Sequence, residues 1–447
     1  MTSTETCGLR VFAPGAYTWG NKGDAVLVQS HIEWLRSAAG ASGIALTSYT
    51  PGSDAQHFGV PFLPMLVDPT SVLARGSARV ARATPTLRRA LTVFRVLSTR
   101  VVEVVVRVWA ALYLRWPALA KGIAPAKVGR LADTIASAHL TVTVPGGYLM
   151  APREADDTWL FHVPTLVLVD ALGCPLVLGP CSVGPFAGLN AVAARRFFRL
   201  PRLVLVREAR SVAVLRELGV EPSRIRAMPD LAFTFRPGPA SALGATELER
   251  VEKLGADHAG LVGVSVREHS FPGSSDPAGD MRSYLGAMVD ALADLHAREG
   301  VAVVVVPQTS MDAPVSGTLA GELARAGVPH VLVDPGVSPS DLSLLYARLD
   351  LLVGTRMHAN ILAMAAGTPV VAVAYQPKTA GILEELGLDD WWLAIDDLGD
   401  DRLRGLVAAA WADREARGRL AHERAQQAAA RVGSEGADLV RLARERP

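Results

Sequence analysis

The chain has 447 residues, with 45 basic and 44 acidic side chains, a formal net charge of +1 and 50% hydrophobic residues. This composition excludes an intrinsically disordered protein, a collagen-like repeat and a uniformly basic nucleic-acid coat protein. The length is that of two or three domains, because a typical domain has about 100 to 200 residues.

The cysteines and the N-terminus indicate a cellular compartment. Cys7, Cys174 and Cys181 are too few and too irregularly spaced for a disulfide framework or a zinc site, which favours a reducing environment. Residues 1–10 lack the pattern of a signal peptide, and no apolar run reaches the roughly 18 residues of a membrane-spanning helix. We therefore expect a cytoplasmic protein that no helix anchors across a membrane.

The first half of the chain alternates short apolar runs with helical patterns, which is typical of a doubly wound α/β domain. Strands are predicted over 9–14, 44–49, 140–144, 175–179, 202–206 and 225–228. A helix is predicted over 208–218, with Gly219 ending it. Together these elements predict an N-terminal α/β domain over residues 1–240.

Three places in this half could contact a ligand. The first is the stretch from Gly20 to Asp24, which includes the loop candidate Asn21. Its glycines, such as Gly23, allow a close backbone approach, and Asp24 is either a helix N-cap or a base for a sugar hydroxyl. The second is the glycine pair Gly146 and Gly147 after a strand, which forms either a ligand loop or a simple turn. The third is Arg207, which either contacts an anion or forms a salt bridge to the following helix.

A basic insertion interrupts the N-terminal domain. Residues 71–130 contain twelve basic side chains and one acid, Glu103, so the rest of the chain is acidic overall. Within it, Thr84-Pro85 and Pro117 predict the start and stop of a long helix. On a helical wheel the charged residues occupy one half: Arg88, Arg89, Arg95, Arg100, Glu103, Arg107 and Arg115. The apolar residues occupy the other half: Leu91, Phe94, Val101, Val102, Val105, Trp109 and Leu112.

Two interpretations of this helix fit the pattern. A basic amphipathic helix over 84–117 can lie on an anionic membrane surface, at the inner face of the plasma membrane, and bring the chain to a lipid-linked sugar. Alternatively, the helix packs on the N-terminal domain or on a second copy of the chain, with its arginines in solvent. Nucleic acid is not an expected partner, because no recognised binding module accompanies the charge.

The second half restarts after a Pro/Gly-rich linker over 235–245. Strands are predicted over 261–266, 301–306, 330–333, 351–353 and 369–373, giving a second α/β domain over 258–400. Charged helices follow over 401–447. The predicted architecture is two Rossmann-like domains facing across a cleft, as in the GT-B fold.

Cationic side chains follow three strands of the second domain. Arg267 comes after strand 261–266, Arg356 and His358 follow strand 351–353, and Lys378 follows strand 369–373 together with Tyr375. In parallel sheets, ligands bind outside the carboxyl ends of the strands, so these side chains are candidates for an anion site. The other interpretation is that the cations pair with nearby acids and only hold the loops in place.

The ordered motifs resemble those of the polysaccharide pyruvyl transferase family. They are GNKGD, PGGYL, VREARSVAVLRELGV with MPDLAF, VSVRE, VVVPQ, GTRMH and AGTPVVAVAYQPK. The resemblance covers about residues 15–388 and implies a GT-B-like transferase that moves a pyruvyl group from phosphoenolpyruvate to sugar hydroxyls, usually as a ketal, with release of phosphate. It departs from the family in the Pro145-Gly146-Gly147 turn and in the basic insertion.

The resemblance also implies roles for residues. Arg267, Arg356 and Lys378 match positions that hold phosphoenolpyruvate, and His358 matches the R-x-H histidine, which suits a general acid. Asp24 is the candidate for the hydroxyl base. We expect no metal and no cofactor beyond phosphoenolpyruvate as co-substrate, with a sugar, a glycan or a lipid-linked sugar as acceptor and a homo-oligomer as a further option.

Two other classes of function compete with this one. A glycosyltransferase on the same scaffold would use a nucleotide-sugar donor and need a ribose-binding acid, for which Glu384 and Glu385 are candidates. A binding protein without catalytic activity would keep the fold but not the R-x-H pair, whose presence counts against it.

Overall fold

The structure is a computed structural model that describes residues 8–15, 19–67, 85–153, 156, 158–399, 401–433 and 435–445, without the side chains of 85–92. The chain divides into two compact units. Unit 1 comprises Met1–Trp19, Leu27–Leu231 and Arg431–Pro447, and unit 2 comprises Gly20–Val26 and Ala232–Ala430.

Unit 1 is built on a parallel sheet of eight strands. They are β1 (Leu9–Ala13), β2 (Ala41–Ser48), β3 (Phe62–Pro64), β4 (Leu140–Val142), β5 (Gly146–Ala151), β6 (Leu176–Phe186), β7 (Leu203–Val206) and β8 (Ile225–Ala227). Their order is β3-β2-β1-β4-β6-β7-β8, and β5 pairs with β6 off this path. The six predicted strands are therefore confirmed, while β3 and β5 have no counterpart in the prediction.

Helices connect these strands and cover the sheet. They are α1 (Lys22–Ala39), α2 (Pro51–Phe58), α3 (Pro85–Arg115), α4 (Pro117–Ile123), α5 (Ala126–Ser137), α6 (Val163–Ala171), α7 (Leu189–Phe197) and α8 (Ala209–Glu217). The first turn of α1 belongs to unit 2 and the remainder to unit 1.

Unit 2 contains a second parallel sheet, of six strands. They are β9 (Leu261–Ser265), β10 (Ala302–Val305), β11 (His330–Leu332), β12 (Leu351–Gly354), β13 (Val370–Ala374) and β14 (Trp392–Ala394). The strand order is β11-β10-β9-β12-β13-β14. Strands β9 to β11 extend the sheet to one side and strands β12 to β14 extend it to the other, so the direction of strand addition reverses between β9 and β12. Every residue of β9, β10, β12 and β13 is buried, which explains their uninterrupted apolar sequences, since both faces of a doubly wound sheet are covered.

The helices of unit 2 complete the α/β layers. They are α9 (Ala242–Ala256), α10 (Pro277–Glu299), α11 (Ala313–Arg325), α12 (Pro339–Tyr346), α13 (Met357–Ala365), α14 (Pro377–Glu385), α15 (Arg402–Ala412) and α16 (Arg414–Arg431). A last helix, α17 (Gly436–Arg444), lies in unit 1.

The compact units differ from the predicted domain bounds of 1–240, 258–400 and 401–447. The division falls between Leu231 and Ala232, and residues Gly20–Val26 join unit 2. The C-terminal helices are shared between the units. Val407 and Trp411 of α15 enter the core of unit 2, whereas α17 buries Leu439 and Leu442 in unit 1. Sequence composition did not reveal this, because apolar spacing shows that a helix has a buried face but not what covers it.

The long helix of the basic insertion is confirmed as α3, although residues 68–84, including Thr84, lie outside the described residues. Its predicted division into one charged and one apolar half is wrong. Val96, Val106, Trp109 and Leu112 pack against the core of unit 1. Phe94, Val101 and Val105, assigned to the same apolar half, are exposed instead. The described part of α3 thus has two apolar faces, one packed and one in solvent.

Among the described residues, no helix combines the length and apolar character that crossing a bilayer requires.

Gly179 in β6 tests the packing of the unit 1 sheet. A Cβ at this position would collide with the backbone carbonyl oxygen of Thr143, which cannot move without disturbing the neighbouring strand end. We expect Gly179→Ala to destabilise unit 1 by about 3 kcal/mol, as overpacking does, measured as a lower urea midpoint.

Gly122→Ala in α4 is the matched control, because a Cβ there meets no atom within 4 Å. It should leave stability unchanged or raise it by up to about 1 kcal/mol through helix propensity. Equal midpoints for the two variants would contradict the packing described for Gly179.

Candidate active site

The carboxyl edge of the unit 2 sheet gathers the predicted cations. Arg267 follows β9, Arg356 follows β12, and Lys378 lies in the first turn of α14 after β13. These three strands are adjacent and parallel, so their ends meet at one edge. Because β9 and β12 form the reversal point of the sheet, this edge is where open α/β sheets place their ligand crevice.

The ring of Tyr375 lies at the centre of this group. The guanidinium carbon of Arg267 is 3.9 Å from the ring centroid, and Nζ of Lys378 is 6.0 Å from it. Both cations are thus within the distance of a cation–π contact. The Nε of Arg267 also donates a hydrogen bond to the carbonyl of Glu268, at 3.1 Å, which fixes the guanidinium against the ring.

These cations change the acidity of Tyr375. Burial raises the pKa of the phenol, but Lys378, Arg267 and Arg356 lower it by more, so that the net pKa is below its ordinary value. A phenol whose acidity is increased despite burial indicates a strongly positive local potential. The same potential favours any anion that enters this edge of the sheet.

Arg356 is held by an acid that the sequence analysis missed. Its Nε donates to Oδ2 of Asp312 at 3.0 Å, and Nη2 donates to Oδ1 of the same carboxylate. The Asp312 side chain is 1% exposed and follows β10, whereas 21% of Arg356 remains exposed. The interpretation that Arg356 pairs with an acid is therefore confirmed. The third nitrogen of the guanidinium, Nη1, makes no hydrogen bond to the described residues. It lies on the side of the guanidinium that faces away from Asp312.

His358 lies in the first turn of α13 and touches the segment that unit 2 receives from the N-terminal part of the chain. A Cβ on Gly23 would overlap the imidazole, with His358 Cγ only 2.8 Å away. The close approach of backbone and ring therefore requires glycine at this position. Asn21 forms an isolated bridge with Thr309, and the Lys22 amide donates to the carbonyl of Gln308 at 3.3 Å, which holds the segment in place.

Asp24 is not the N-cap of α1. The helix begins at Lys22, so Asp24 is its third residue, where its carboxylate accepts a hydrogen bond from Nδ2 of Asn21 at 2.6 Å. Asn21 itself occupies the residue before the helix and offers its carbonyl to Ala25. Asn21, Gly23 and Asp24 thus lie within unit 2, and Gly23 is the residue that adjoins the histidine.

Two further polar residues of this site were not singled out from the sequence. Lys22 is 4% exposed, and burial lowers its pKa while the nearby Asp341 offsets part of the effect. The ring centroids of His269 and Tyr375 are 5.8 Å apart. Burial is the main cause that lowers the pKa of His269, and the positive charge of Arg267 lowers it further. The signal for Asp312 and His269 was available, since each follows a strand of this sheet as the cations do.

Arg207 does not serve as a ligand contact. Its side chain is 1% exposed and pairs with Asp230, which is fully buried. Nε also donates to Ser182 at 2.8 Å, and Glu208 lies 3.7 Å away. The salt-bridge interpretation is correct, and the prediction of an acceptor contact is wrong, because the guanidinium has no surface left to offer.

The predicted glycine turn is a strand. Gly146 and Gly147 begin β5, and Gly146 pairs with Cys181 of β6. Neither the ligand-loop nor the turn interpretation holds, because the backbone of this segment is extended and pairs with β6.

Unit 1 has a small polar cavity of its own at the carboxyl ends of β1 and β4. It is lined in part by Gly15, Thr47, Tyr148, His162 and Thr165. Its volume of about 10 Å³ has room for one water molecule. Burial lowers the pKa of His162 to about 4, so its ring is neutral there near pH 7.

The acids proposed for a nucleotide ribose lie at the wrong end of their helix. Glu384 and Glu385 occupy the last turn of α14, which starts just after β13 and leads to the parallel strand β14. The helix therefore runs back toward the amino ends of the strands, and both acids lie away from the cationic edge. Within the described residues, no cluster of His, Cys, Asp and Glu is arranged to hold a metal ion.

The titration of Tyr375 tests the electrostatics of the site. Lys378→Met removes a positive charge that favours the phenolate, so we expect the pKa of Tyr375 to rise. The measurement is the ultraviolet absorbance of phenolate against pH, with the Tyr375→Phe variant used to isolate this ring from the other six tyrosines.

Lys253→Met is the matched control, because this lysine is exposed on α9. It should leave the Tyr375 titration where it is in the unmodified chain. A titration that Lys378→Met does not move would show that the lysine has no electrostatic contact with the ring.

Comparisons with known proteins agree on family and fold. The profile described as polysaccharide pyruvyl transferase matches residues 21–377, which include the candidate site except Lys378. The amylovoran biosynthesis protein AmsJ of Erwinia amylovora is 27% identical over 231 residues, covering 49% of this chain and 54% of that protein. The chain thus spans about half the length of this curated relative.

Solved structures with a similar fold are glycosyltransferases and epimerases. Alr3699/HepE of Anabaena, in complex with UDP and glucose, aligns with a TM-score of 0.56 at 13% identity, over 98% of this chain and 100% of that one. A Rickettsia africae glycosyltransferase aligns with a TM-score of 0.56 at 9% identity, over 98% and 100%. A Listeria monocytogenes structure described as a UDP-N-acetylglucosamine 2-epimerase gives 0.54 at 11%, over 99% of each chain. These likenesses show a GT-B-like fold, and the profile match shows that the chain belongs to the polysaccharide pyruvyl transferase family.

Proposed function

We propose that this protein transfers the pyruvyl group of phosphoenolpyruvate to hydroxyls of a sugar in polysaccharide biosynthesis. The observation that carries the proposal is the cationic edge of unit 2, where Arg267, Arg356 and Lys378 surround one tyrosine. Family membership and the likeness to AmsJ support the same conclusion.

Phosphoenolpyruvate has the charges that this edge would bind. It carries a carboxylate and a phosphate on adjacent positions, and each prefers charge-assisted hydrogen bonds. Arg356, already oriented by Asp312, offers Nη1, while Arg267 is fixed against Tyr375. The pre-oriented cations would bind the donor without a large loss of side-chain entropy.

The chemistry requires a proton donor near the donor's methylene carbon. Protonation of C3 makes C2 electrophilic, one sugar hydroxyl attacks C2, phosphate leaves, and a second hydroxyl closes the ketal. The acceptor loses two protons, of which one balances the proton added at C3 and the other leaves with phosphate. We assign His358 as the general acid and Asp24 as the candidate base.

Gly23 supports this assignment of His358. Its backbone approaches the imidazole closely, and Asn21 and Lys22 bind this segment to the loop after β10. The histidine ring is thus confined by main-chain atoms, which would limit its rotation during proton transfer.

Binding of phosphoenolpyruvate by calorimetry tests the donor site. Arg267→Gln removes one charge-assisted contact, and we expect the affinity to fall about tenfold to a hundredfold. Arg282→Gln is the control, since this arginine of α10 is 74% exposed and should leave binding unchanged. Equal affinities for the two variants would contradict the placement of the donor at Arg267.

The catalytic assignment is tested by phosphate release from phosphoenolpyruvate with an acceptor sugar present. We expect His358→Ala to lower the rate about a hundredfold to ten thousandfold while circular dichroism shows that the fold is kept, because the proton donor is lost but the surrounding strands and helices remain. His422→Ala, on α16, should keep the unmodified rate. Near-normal turnover of His358→Ala would rule out this histidine as the acid.

A thermal shift with UDP-glucose but not with phosphoenolpyruvate would favour a nucleotide-sugar transferase.

A further inference from the structure

An apolar strip runs along the solvent side of α3. We call it the apolar stripe, and it consists of Val93, Phe94, Leu97, Val101, Val104, Val105 and Val108. Each of these side chains is 41% to 65% exposed. The stripe spans about 23 Å at 1.5 Å per residue, without a charged residue inside it.

More apolar side chains are exposed after α3. Trp116 follows the helix, and Leu119 and Ile123 lie on α4, all of them more than half exposed. A run of exposed apolar residues along one helix face, as in the apolar stripe, is uncommon on monomeric soluble proteins and marks a contact surface.

Arginines line one edge of the stripe. Arg100 pairs with Glu103 at 2.8 Å, and Arg196 of α7 reaches the same acid at 3.5 Å. Arg107 pairs with Asp170 at 2.9 Å. The guanidinium groups are the outer members of these pairs, because Arg100 is 40% exposed and Glu103 only 14%.

The segment that carries the stripe is positively charged in total. Between residues 93 and 130 the basic side chains outnumber the acids by seven to one: Arg95, Arg100, Arg107, Arg115, Lys121, Lys127 and Arg130 against Glu103. Asp170 and Asp133, which pair with Arg107 and Lys121, offset only part of this charge.

We propose that the apolar stripe and its arginine edge dock this protein on an anionic phospholipid bilayer. The valine, leucine and phenylalanine side chains would enter the boundary between headgroups and acyl chains. The guanidinium groups would contact lipid phosphates, with their apolar stems along the stripe. This proposal does not depend on pyruvyl transfer, although docking would bring the site to a lipid-linked acceptor.

A second copy of the chain is the rival occupant. Phe94, Leu97, Val101, Val104 and Val108 alternate at spacings of three and four residues, as in a coiled-coil seam. An isologous dimer would, however, bring two copies of the same positively charged surface together, and like charges at an interface are unfavourable. A negatively charged bilayer has the complementary sign, so charge favours the lipid surface.

Vesicle flotation with the full chain tests the proposal. We expect the protein to float with vesicles of phosphatidylcholine and phosphatidylglycerol, to stay unbound with phosphatidylcholine alone, and to be released as salt screens the arginines. The double variant Val101→Ser with Val108→Ser should lose about tenfold in partitioning per substitution, because each removes the apolar carbons that enter the lipid.

Control variants keep the result interpretable. Leu243→Ser alters an exposed leucine on α9 in unit 2 and should float like the unmodified chain. Leu119→Ser with Ile123→Ser changes α4 alone and provides a second test if the α3 variant fails to fold, as judged by circular dichroism.

Two outcomes would overturn the proposal. One is equal binding of the stripe variant and the Leu243→Ser control to anionic vesicles. The other is absence of vesicle binding at low salt. If sedimentation then shows a dimer that the stripe substitutions dissociate, the stripe is a contact between two copies of the chain instead. Neither outcome bears on phosphate release from phosphoenolpyruvate, so the proposed function is judged separately.

Discussion

Three cations, Arg267, Arg356 and Lys378, lie at one edge of the unit 2 sheet and repel one another. The rest of the site depends on how this repulsion is relieved. Arg356 is relieved by Asp312, which is buried and binds it through both carboxylate oxygens. Arg267 is placed instead against the face of Tyr375, whose quadrupole attracts a cation without neutralising its charge. One arginine thus gains orientation from an acid and the other from a ring, and a net positive potential remains for an anionic ligand.

The second constraint on the site comes from the other end of the chain. Residues Gly20–Val26 belong to unit 2, although the sequence on both sides of them belongs to unit 1. Backbone contacts to Gln308 and Thr309 hold the segment, and Gly23 brings main-chain atoms against His358. A larger residue would displace either the imidazole or the segment, so the absence of a side chain at Gly23 is what permits this close approach.

The basic insertion follows a different logic from the site. Two of its arginines, Arg100 and Arg107, pair within unit 1 with Glu103 and Asp170. What distinguishes α3 is that it has more apolar surface than its packing uses. One face anchors it through Trp109 and neighbouring side chains, and the second face is left to solvent. A helix needs only one apolar face to fold onto a domain, so the second face is the surface that the proposed membrane contact would use.

The sequence by itself determined most of the strands, their parallel arrangement and the residues that follow them. Buried strands in doubly wound sheets are short apolar runs, and their ends are visible where Arg267, Arg356 and Lys378 interrupt the pattern. The tertiary structure alone decided which of these residues meet, because strand order is not written in local periodicity. It buried Arg207 with Asp230, turned the Gly146-Gly147 pair into a strand and brought Gly23 to His358 from a distant part of the chain. Each of these outcomes depends on contacts between segments far apart in sequence, which hydrophobic spacing and loop composition do not encode.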